Sequence, residues 1–344
     1  MLTEQSINKL DRIEIRRNRT PLETVVPLKA PYSIYIDPCG ACNFKCGFCP
    51  CENSDYRNAD RFKTMSLELF RKIADDICDF PEQVKVVNLW SWGEPFLNPN
   101  LIDMIKYLYK KNACREIRTC TNGSFLNPSI NEQLVDSGLD LIRVSIEALN
   151  DDEYKCITGV NVSFDSIVGA IRDLYNKSRG TRLKVSCKIV EPSVDTKEKE
   201  QMFYNIFSPI SDFTFIEDIV DAFPGYEKLK KPDNKKVKFR KWNSYSDRAN
   251  YVCAKPLVQM AIHSNGEVSA CCNDWKFMTS YGNVENDRLI DLWNSEWLRE
   301  FRLKQLELPR SQIPYCNICD CESDDDIDDV ASAIAERIRQ DAKK

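Results

Sequence analysis

The cysteines between residues 39 and 51 have a spacing that could do chemistry. Cys42, Cys46 and Cys49 follow the pattern C-x3-C-x2-C, and the aromatic residue Phe48 stands directly before the third cysteine. Three thiolates on one short loop can bind three of the irons of a [4Fe–4S] cluster. The remaining iron then has no protein ligand, so it can bind another molecule and take part in a reaction.

Two other interpretations of this loop stay open. A structural zinc site has four ligands, and Cys39 or Cys51 could supply the fourth thiolate. Chance spacing is the other alternative. We interpret Cys39 and Cys51 as bystanders that flank the three ligands.

A second group of cysteines lies in the last third of the chain. Cys253 is followed by twelve residues, Gly266, four more residues and Cys271, and Cys316 and Cys319 come later with the spacing C-x2-C. Four thiolates can saturate all the irons of one cubane, and such a closed cluster can carry an electron without binding a substrate. A zinc site is the alternative for this group.

Three neighbouring side chains are not needed as ligands of the second group. Cys272 and Cys321 are either ordinary thiols or alternate ligands. His263, the single histidine of the chain, lies between the ligands, and we interpret it as a structural residue.

The composition narrows the classes of function. The 344 residues carry a net charge of −5, which argues against nucleic acid as a partner because phosphate binding requires basic surface. No apolar run reaches the length of a membrane span and the polar start is not a signal peptide, so we expect a cytoplasmic protein with no membrane partner. In that compartment sixteen cysteines and one histidine favour a metal held by sulfur.

Alternating strand and helix patterns must position these cysteines, and they begin near Tyr32. The predicted strands are Ser33–Ile36, Val84–Trp90, Glu116–Cys120, Leu141–Ile146, Leu183–Val190 and Asp212–Glu217. The predicted helices are Ser66–Cys78 (with Ser66 as its cap), Leu101–Lys111, Ile130–Ser137, Phe164–Lys177 and Lys197–Phe207. The alternation predicts an α/β fold with a parallel sheet. Functional loops of such sheets gather at the carboxyl ends of the strands, and the triple-cysteine loop directly follows the first strand.

This loop resembles that of the radical S-adenosylmethionine (radical SAM) superfamily. The resemblance implies a partial (β/α)6 TIM-like barrel, which the strand pattern alone does not distinguish from a closed barrel of eight strands. It also implies that SAM chelates the open iron and is cleaved to a 5′-deoxyadenosyl radical. That radical abstracts a hydrogen atom from a substrate C–H bond.

Later strand ends carry polar groups that match the SAM pocket of this superfamily. Ser91-Trp92-Gly93-Glu94-Pro95 resembles its G-G-E-P motif with Trp92 in place of the first glycine, and Thr121-Asn122-Gly123 resembles its T-N-G segment. Glycine and proline bend the backbone so that carbonyl oxygens can accept hydrogen bonds from the SAM ammonium. The candidate SAM contacts implied by the resemblance are Phe48, Trp92, Gly93, Glu94, Pro95, Asn122, Ser145, Glu147 and Lys188.

The second cysteine group resembles the opening of the SPASM domain pattern. Only Cys321 follows the C-x2-C pair, so the resemblance is to the truncated form called a twitch domain. It implies a second, auxiliary [4Fe–4S] cluster held by Cys253, Cys271, Cys316 and Cys319. The combination with one auxiliary cluster most resembles radical SAM dehydrogenases such as 2-deoxy-scyllo-inosamine dehydrogenase.

These patterns predict five parts along the chain. They are an N-terminal extension (1–31), a radical SAM partial barrel (32–222), a basic linker (223–250), a twitch-like auxiliary cluster domain (251–322) and an acidic and helical tail (323–344). We interpret the linker and the tail as solvated segments.

Two clusters together indicate an oxidoreductase. Hydrogen abstraction from a carbon that bears a hydroxyl leaves a reducing radical, and a closed cluster nearby can accept its electron. We therefore expect a sugar or aminocyclitol carbinol as the small-molecule substrate. A reductase such as flavodoxin or ferredoxin is the expected electron donor.

The alternatives are an epimerase, a peptide-modifying enzyme and a non-catalytic iron–sulfur or zinc protein. An epimerase needs a thiol that returns a hydrogen atom, and Cys120, Cys187 and Cys272 are candidates. A non-catalytic protein would leave the G-E-P, T-N-G and S-x-E positions without a purpose.

Overall fold

One sheet runs through the parts of the chain that the computed structural model describes, which are residues 20–217, 252–319 and 327–343. Its order is β6-β5-β4-β3-β2-β1-β7-β8-β9. The strands are β1 (Ser33–Ile36), β2 (Val84–Asn88), β3 (Cys114–Thr121), β4 (Leu141–Ile146), β5 (Lys184–Val190), β6 (Phe213–Glu217), β7 (Gln259–Ile262), β8 (Glu267–Ser269) and β9 (Ser280–Asn283). The predicted α/β fold with a partial (β/α)6 barrel is confirmed.

The pairing between β1 and β7 joins the two cysteine-bearing parts of the chain. The seven strands from β6 through β1 to β7, taken in sheet order, are all parallel. Strand β1 pairs with β7 along four positions, from Ser33 opposite Gln259 to Ile36 opposite Ile262. Strands β8 and β9 then continue the sheet in antiparallel order. The first strand of the second cysteine unit therefore extends the sheet of the first unit.

The helices cover the outer face of the strands. In the described residues they are α1 (Leu22–Val25), α2 (Ser54–Arg57), α3 (Leu67–Cys78), α4 (Leu101–Lys111), α5 (Pro128–Val135), α6 (Asp151–Thr158), α7 (Phe164–Ser178), α8 (Lys197–Phe207), α9 (Lys255–Val258), α10 (Leu289–Trp293), α11 (Glu296–Glu307) and α12 (Ala331–Asp341). Polar caps start several of them, and the hydroxyl of Ser66 accepts a hydrogen bond from the Leu69 amide at 3.1 Å.

Strand β4 shows how the sheet separates core from barrel interior. Ile142, Val144 and Ile146 are buried, whereas the residues between them are only half-buried. Successive side chains on a strand point to opposite faces. The apolar set therefore packs beneath the helices, and Ser145 lies on the interior face.

The predicted elements are present, with shifted ends at several of them. Strand β2 ends two residues earlier than Trp90, and β3 extends to Cys114 and Thr121. Strands β7 to β9 and helices α1, α2, α6, α9, α10 and α11 were not predicted from the sequence. The signal for α6 is present, since Asn150 caps it and Gly159 ends it with a left-handed φ of 71°.

The solvated interpretation of the tail is wrong for its helix. Ala331, Ile334, Ala335 and Ile338 of α12 are buried, because the apolar stripe of this amphipathic helix packs against α11 and α1. Residues 1–19 of the predicted N-terminal extension, the basic linker and Cys321 lie outside the described residues.

Within the described ranges, the structure contains no helix that combines the length and the apolar character needed to cross a membrane.

The packing of α12 predicts a loss of stability when its buried face is truncated. Ile334→Ala removes a fully buried side chain, so we expect the free energy of unfolding to fall by about 2–5 kcal/mol. Urea unfolding measures this change, and Ser332→Ala on the exposed face of the same helix is the matched control. An equal free energy of unfolding in both variants would contradict the packing of α12 against α11 and α1.

Candidate functional site

The triple-cysteine loop follows the carboxyl end of β1, as predicted. The Phe44 amide donates to the Cys42 sulfur at 3.4 Å, and the Cys49 amide donates to the Cys46 carbonyl at 2.9 Å. Helix α6 supports the loop, because its last carbonyls accept from the Lys45 and Gly47 amides. These bonds hold the three thiols within one short turn of chain.

The electrostatics of this loop fit an iron–sulfur cluster. Burial raises the pKa of Cys42 to about 12, and the Glu94 carboxylate acts in the same direction. Burial, together with the Glu147 carboxylate and the neighbouring thiols, also raises the pKa of Cys46. Thiolates in such a place need a cation beside them, and the irons of a cluster supply that charge.

The flanking cysteines make contacts of their own. The Cys51 thiol lies beside Cys49 and lowers the pKa of Cys49 by hydrogen bonding, and the Cys51 sulfur also lies 2.9 Å from the Trp92 carbonyl oxygen. The Cys39 thiol donates to the Ala41 carbonyl at 3.5 Å. Among the described residues, no three histidine, cysteine or carboxylate side chains group closely enough for one metal ion. A cubane spaces its ligands farther apart, since each thiolate binds a different iron.

The Ser91–Pro95 segment packs directly on the cysteine loop. A Cβ at Gly93 would lie 2.0 Å from the Cys39 carbonyl oxygen and 2.4 Å from that of Ala41, so only glycine fits. The Glu94 amide donates to the Ala41 carbonyl at 2.8 Å. Glycine is therefore required here for a close approach of two backbones.

Glu94 ties this segment to the end of β3. Its carboxylate accepts from the Thr121 hydroxyl at 2.7 Å, the Asn122 amide at 2.8 Å and the Phe96 amide at 3.1 Å. Burial raises the pKa of Glu94 to about 7, and these three donors oppose the rise. Pro95 begins the short turn Pro95–Leu97 that follows. The buried Glu94 carboxylate thus holds the Ser91–Pro95 segment against the end of β3.

Asn122 and Phe48 also lie at the cysteine loop. The Asn122 side-chain nitrogen donates to the Asn43 side-chain oxygen at 2.8 Å and lies 3.9 Å from the Cys42 sulfur. Phe48 is half-buried and packs against the main core. The structure therefore brings Asn122 close to Cys42, while Phe48 directly precedes Cys49 in the chain.

Ser145, Glu147 and Lys188 lie farther along the barrel interior. The Ser145 hydroxyl is 3.5 Å from the Cys120 sulfur, and the Lys188 nitrogen is 2.5 Å from a Glu217 oxygen. Burial acts to lower the pKa of Lys188, but the attraction of Glu217, Cys120 and Glu147 outweighs it and raises that pKa. Lys188 is therefore neutralised by Glu217, a residue that sequence reasoning missed although it ends the last predicted strand.

The four cysteines of the second group line one small cavity. The Gln305 side-chain nitrogen donates to the Cys316 sulfur at 3.0 Å, and the Asn273 amide donates to the Cys271 sulfur at 3.4 Å. Burial raises the pKa of Cys316 to about 12. Four thiols around one cavity are a donor set that fits a closed cluster.

Positive charge surrounds the second cavity, in contrast to the first loop. Burial raises the pKa of Cys253, while Lys255 and Arg310, which line the same cavity, act to lower it. Cys272 lies beside Cys271, whose thiol lowers the pKa of Cys272 by donating to it. Sequence reasoning missed Gln305, Lys255 and Arg310 because no motif marks them.

Two networks connect the cysteine sites. The Trp92 amide donates to one Asp37 oxygen at 3.0 Å, and the other Asp37 oxygen lies 3.6 Å from Nδ1 of the buried His263. The His263 ring also contacts the Ser269 hydroxyl at 2.8 Å, which supports its structural interpretation. A second apolar cluster is formed by Cys51, Tyr56, Trp92, Trp275, Phe277 and Tyr315.

Two family models match the chain. The radical SAM superfamily model matches residues 36–186, and the SPASM model, described as an iron–sulfur cluster-binding domain, matches residues 253–322. Together they include all seven predicted ligand cysteines.

Curated relatives match the chain over different shares of their length. A probable GTP 3′,8-cyclase from Metallosphaera sedula is 33% identical over 136 residues, which is 40% of this chain and 40% of that protein. A tungsten-containing aldehyde ferredoxin oxidoreductase cofactor-modifying protein from Pyrococcus furiosus is 22% identical over 335 residues, covering 86% of this chain and 90% of that protein. The chain thus spans about two fifths of the cyclase.

Solved structures share the fold at low identity. The crystal structure of BtrN in complex with AdoMet and 2-DOIA has a TM-score of 0.57 and 16% identity, covering 86% of this chain and 97% of BtrN. SuiB from Streptococcus suis, bound to the precursor peptide SuiA, has a TM-score of 0.53 and 18% identity, covering 80% of this chain and 67% of SuiB. One fold therefore accommodates different kinds of bound molecule.

The contact at Gly93 predicts a selective defect at the first loop. Gly93→Ala places a methyl group against two carbonyl oxygens, so we expect iron to fall from about eight to about four per chain after anaerobic reconstitution. Gly169→Ala is the control, because a Cβ there meets nothing within 4 Å and Gly169 lies in α7. Full iron loading and SAM binding in Gly93→Ala would contradict the packed loop.

Proposed function

Because this chain carries a radical SAM domain and an iron–sulfur cluster-binding SPASM domain, we propose that it is a radical SAM dehydrogenase with an auxiliary electron acceptor. SAM and two iron–sulfur clusters are the cofactors that these domains imply. The proposed substrate is a small molecule with an oxidisable carbinol, of the sugar or aminocyclitol class.

One observation carries the proposal. Cys253, Cys271, Cys316 and Cys319 surround a single cavity, and the domain that holds them extends the sheet of the first cysteine loop through the β1–β7 pairing. Four thiols leave no iron of a cubane open, so an electron is what this site can accept. The likeness to BtrN, whose structure holds AdoMet and 2-DOIA, supports the same assignment.

The proposed reaction balances as a two-electron oxidation. When bound, SAM and the first cluster would supply, at the expense of one electron, a radical that removes the carbinol hydrogen atom. The substrate then releases its hydroxyl proton to a base and one electron to the auxiliary site, and becomes a carbonyl compound. A reductase such as flavodoxin or ferredoxin would return the electrons needed at the first site.

The chain's own residues would hold SAM at the carboxyl ends of the strands. We assign the carbonyls around Trp92, Gly93 and Pro95 to the SAM ammonium, with Glu94 holding this segment in place. Further SAM contacts are assigned to Phe48, Asn122, Ser145 and Glu147. Lys188 is the weakest of these assignments, because its ammonium already pairs with Glu217.

The proposal predicts that a substitution in the first cysteine group abolishes SAM cleavage, whereas one in the second group impairs only substrate oxidation. With dithionite as reductant, Cys46→Ala should form no 5′-deoxyadenosine, because the first cluster loses a ligand. Cys316→Ala should still cleave SAM but yield at least tenfold less carbonyl product, because the electron has no acceptor. Mass spectrometry of both products, with deuterated aminocyclitols and sugars as candidates, measures the split.

Cys156→Ala, at an exposed thiol outside both groups, is the control and should behave as the wild type. Equal carbonyl yield from Cys316→Ala and the wild type would overturn the auxiliary acceptor. Absence of 5′-deoxyadenosine in the loaded wild type would overturn the enzyme itself.

A second candidate is epimerisation or peptide modification, and the position of Cys120 favours it. Cys120 lies on the interior side of β3 beside Ser145, where a thiol could return a hydrogen atom to a substrate carbon. Cys187 is fully buried and its sulfur bonds toward Ser211, so it is not placed for this role. The fold match to SuiB with its precursor peptide is the second support.

Solvent deuterium separates this candidate from the dehydrogenase. An epimerase in D2O would incorporate one deuterium at the substrate carbon, and Cys120→Ala would lose that incorporation while still forming 5′-deoxyadenosine. A dehydrogenase would form the carbonyl product at an undiminished rate in Cys120→Ala. Isotope ratios in the recovered substrate distinguish the two.

A further inference from the structure

The side chains that line the auxiliary cavity include a neutral amide, Gln305, and two positively charged groups that the cysteine motif does not require. Gln305, Lys255 and Arg310 line the cavity together with Cys253, Cys271, Cys316 and Cys319. A site that only needed to hold a cluster in place could be lined by apolar residues. The polar lining therefore requires an explanation of its own.

Gln305 is held firmly at a ligand thiol. It lies on the buried face of α11, where its side chain is 1% exposed, and its nitrogen donates to the Cys316 sulfur at 3.0 Å. Its carbonyl oxygen is buried without a hydrogen-bond partner in the part of the chain that the structure describes. Burying an amide with one end unsatisfied costs free energy, so the bond to sulfur is the favourable contact that its position provides.

Arg310 and Lys255 line the same cavity but belong to different parts of the fold. Arg310 follows α11 and is 7% exposed, whereas Lys255 begins α9, two residues after Cys253. Both charges act on the Cys253 thiol, whose pKa they lower against the effect of burial. The first cysteine loop has different surroundings, since the carboxylates of Glu94 and Glu147 act to raise the pKa of its thiols and Arg57 acts to lower that of Cys49.

A cluster with four thiolates becomes more negative when it accepts an electron. Positive charge and N–H donors directed at its sulfurs stabilise that reduced form more than the oxidised form. Hydrogen bonds to sulfur and net charge are the levers by which a protein sets the potential of such a cluster.

We propose that Gln305, assisted by Arg310 and Lys255, raises the reduction potential of the auxiliary cluster so that it can accept the substrate's electron. This inference rests on the proposed auxiliary acceptor and assigns positioning and tuning roles that the cysteine spacing does not contain. The step is a one-electron reduction, and the proposed substrate radical is the reductant.

The test isolates the auxiliary cluster in the full-length chain. Cys42, Cys46 and Cys49 are replaced by alanine to remove the first cluster, and the remaining cluster is titrated with dithionite and redox mediators. Its EPR signal gives the midpoint potential without SAM or substrate. A failed tuning role is therefore distinguishable from a failed dehydrogenase function.

Gln305→Leu should lower the potential so that reduction is at least about tenfold less favourable, which is about 59 mV for one electron. Gln305→Glu, which replaces the donor by a carboxylate of similar shape, should lower it further. Gln259→Leu is the matched control, because Gln259 donates to the sulfur of Cys272, outside the assigned ligands, at 3.3 Å. The control should leave the potential unchanged.

Iron and sulfide analysis establishes that each variant holds one cluster. If Gln305→Leu does not load, Arg310→Gln provides the second measurement, and it should also lower the potential because a charge is removed. An unchanged potential in the loaded variants would overturn the proposal, as would an equal shift in Gln259→Leu.

Discussion

The parallel pairing of β1 with β7 is the constraint on which both cysteine sites depend. Strand β1 leads directly into the triple-cysteine loop, and β7 lies between Cys253 and Cys271 of the second group. Backbone hydrogen bonds along four paired positions therefore set the separation of the two sites. Neither site could move relative to the other without breaking the sheet.

Buried side chains at the carboxyl ends of β1 and β7 reinforce this pairing. Asp37, at the end of β1, receives the Trp92 amide and faces His263 at the end of β7. The Ser91 hydroxyl donates to the Cys272 carbonyl at 3.4 Å. The segment proposed to hold SAM thus contacts the domain proposed to accept the electron, which couples the two units physically.

The two sites differ in charge, and this difference follows from which elements surround them. The triple-cysteine loop, which follows β1, lies beside the carboxyl ends of β2 to β4, and the buried residues Glu94 and Glu147 follow β2 and β4. The second is closed by α9, α11 and the turn after α11, which contribute Lys255, Gln305 and Arg310. One chain therefore provides two sulfur sites with different electrostatic surroundings, because local charges dominate at short range in a desolvated interior.

Sequence alone was sufficient where the signal is local. The spacing C-x3-C-x2-C, the G-E-P and T-N-G segments after β2 and β3, and the alternation of six strands with helices are all carried by neighbouring residues, so the fold class and both cysteine groups followed from them. Gly93 could be identified as special, although the reason, two carbonyl oxygens of another loop, required the structure. Tertiary structure alone decided the β1–β7 pairing, the Lys188–Glu217 pair, the docking of the tail helix and the placement of Gln305 at Cys316. These contacts join residues far apart in the chain, and no local periodicity or spacing records which distant partner a buried polar group will meet.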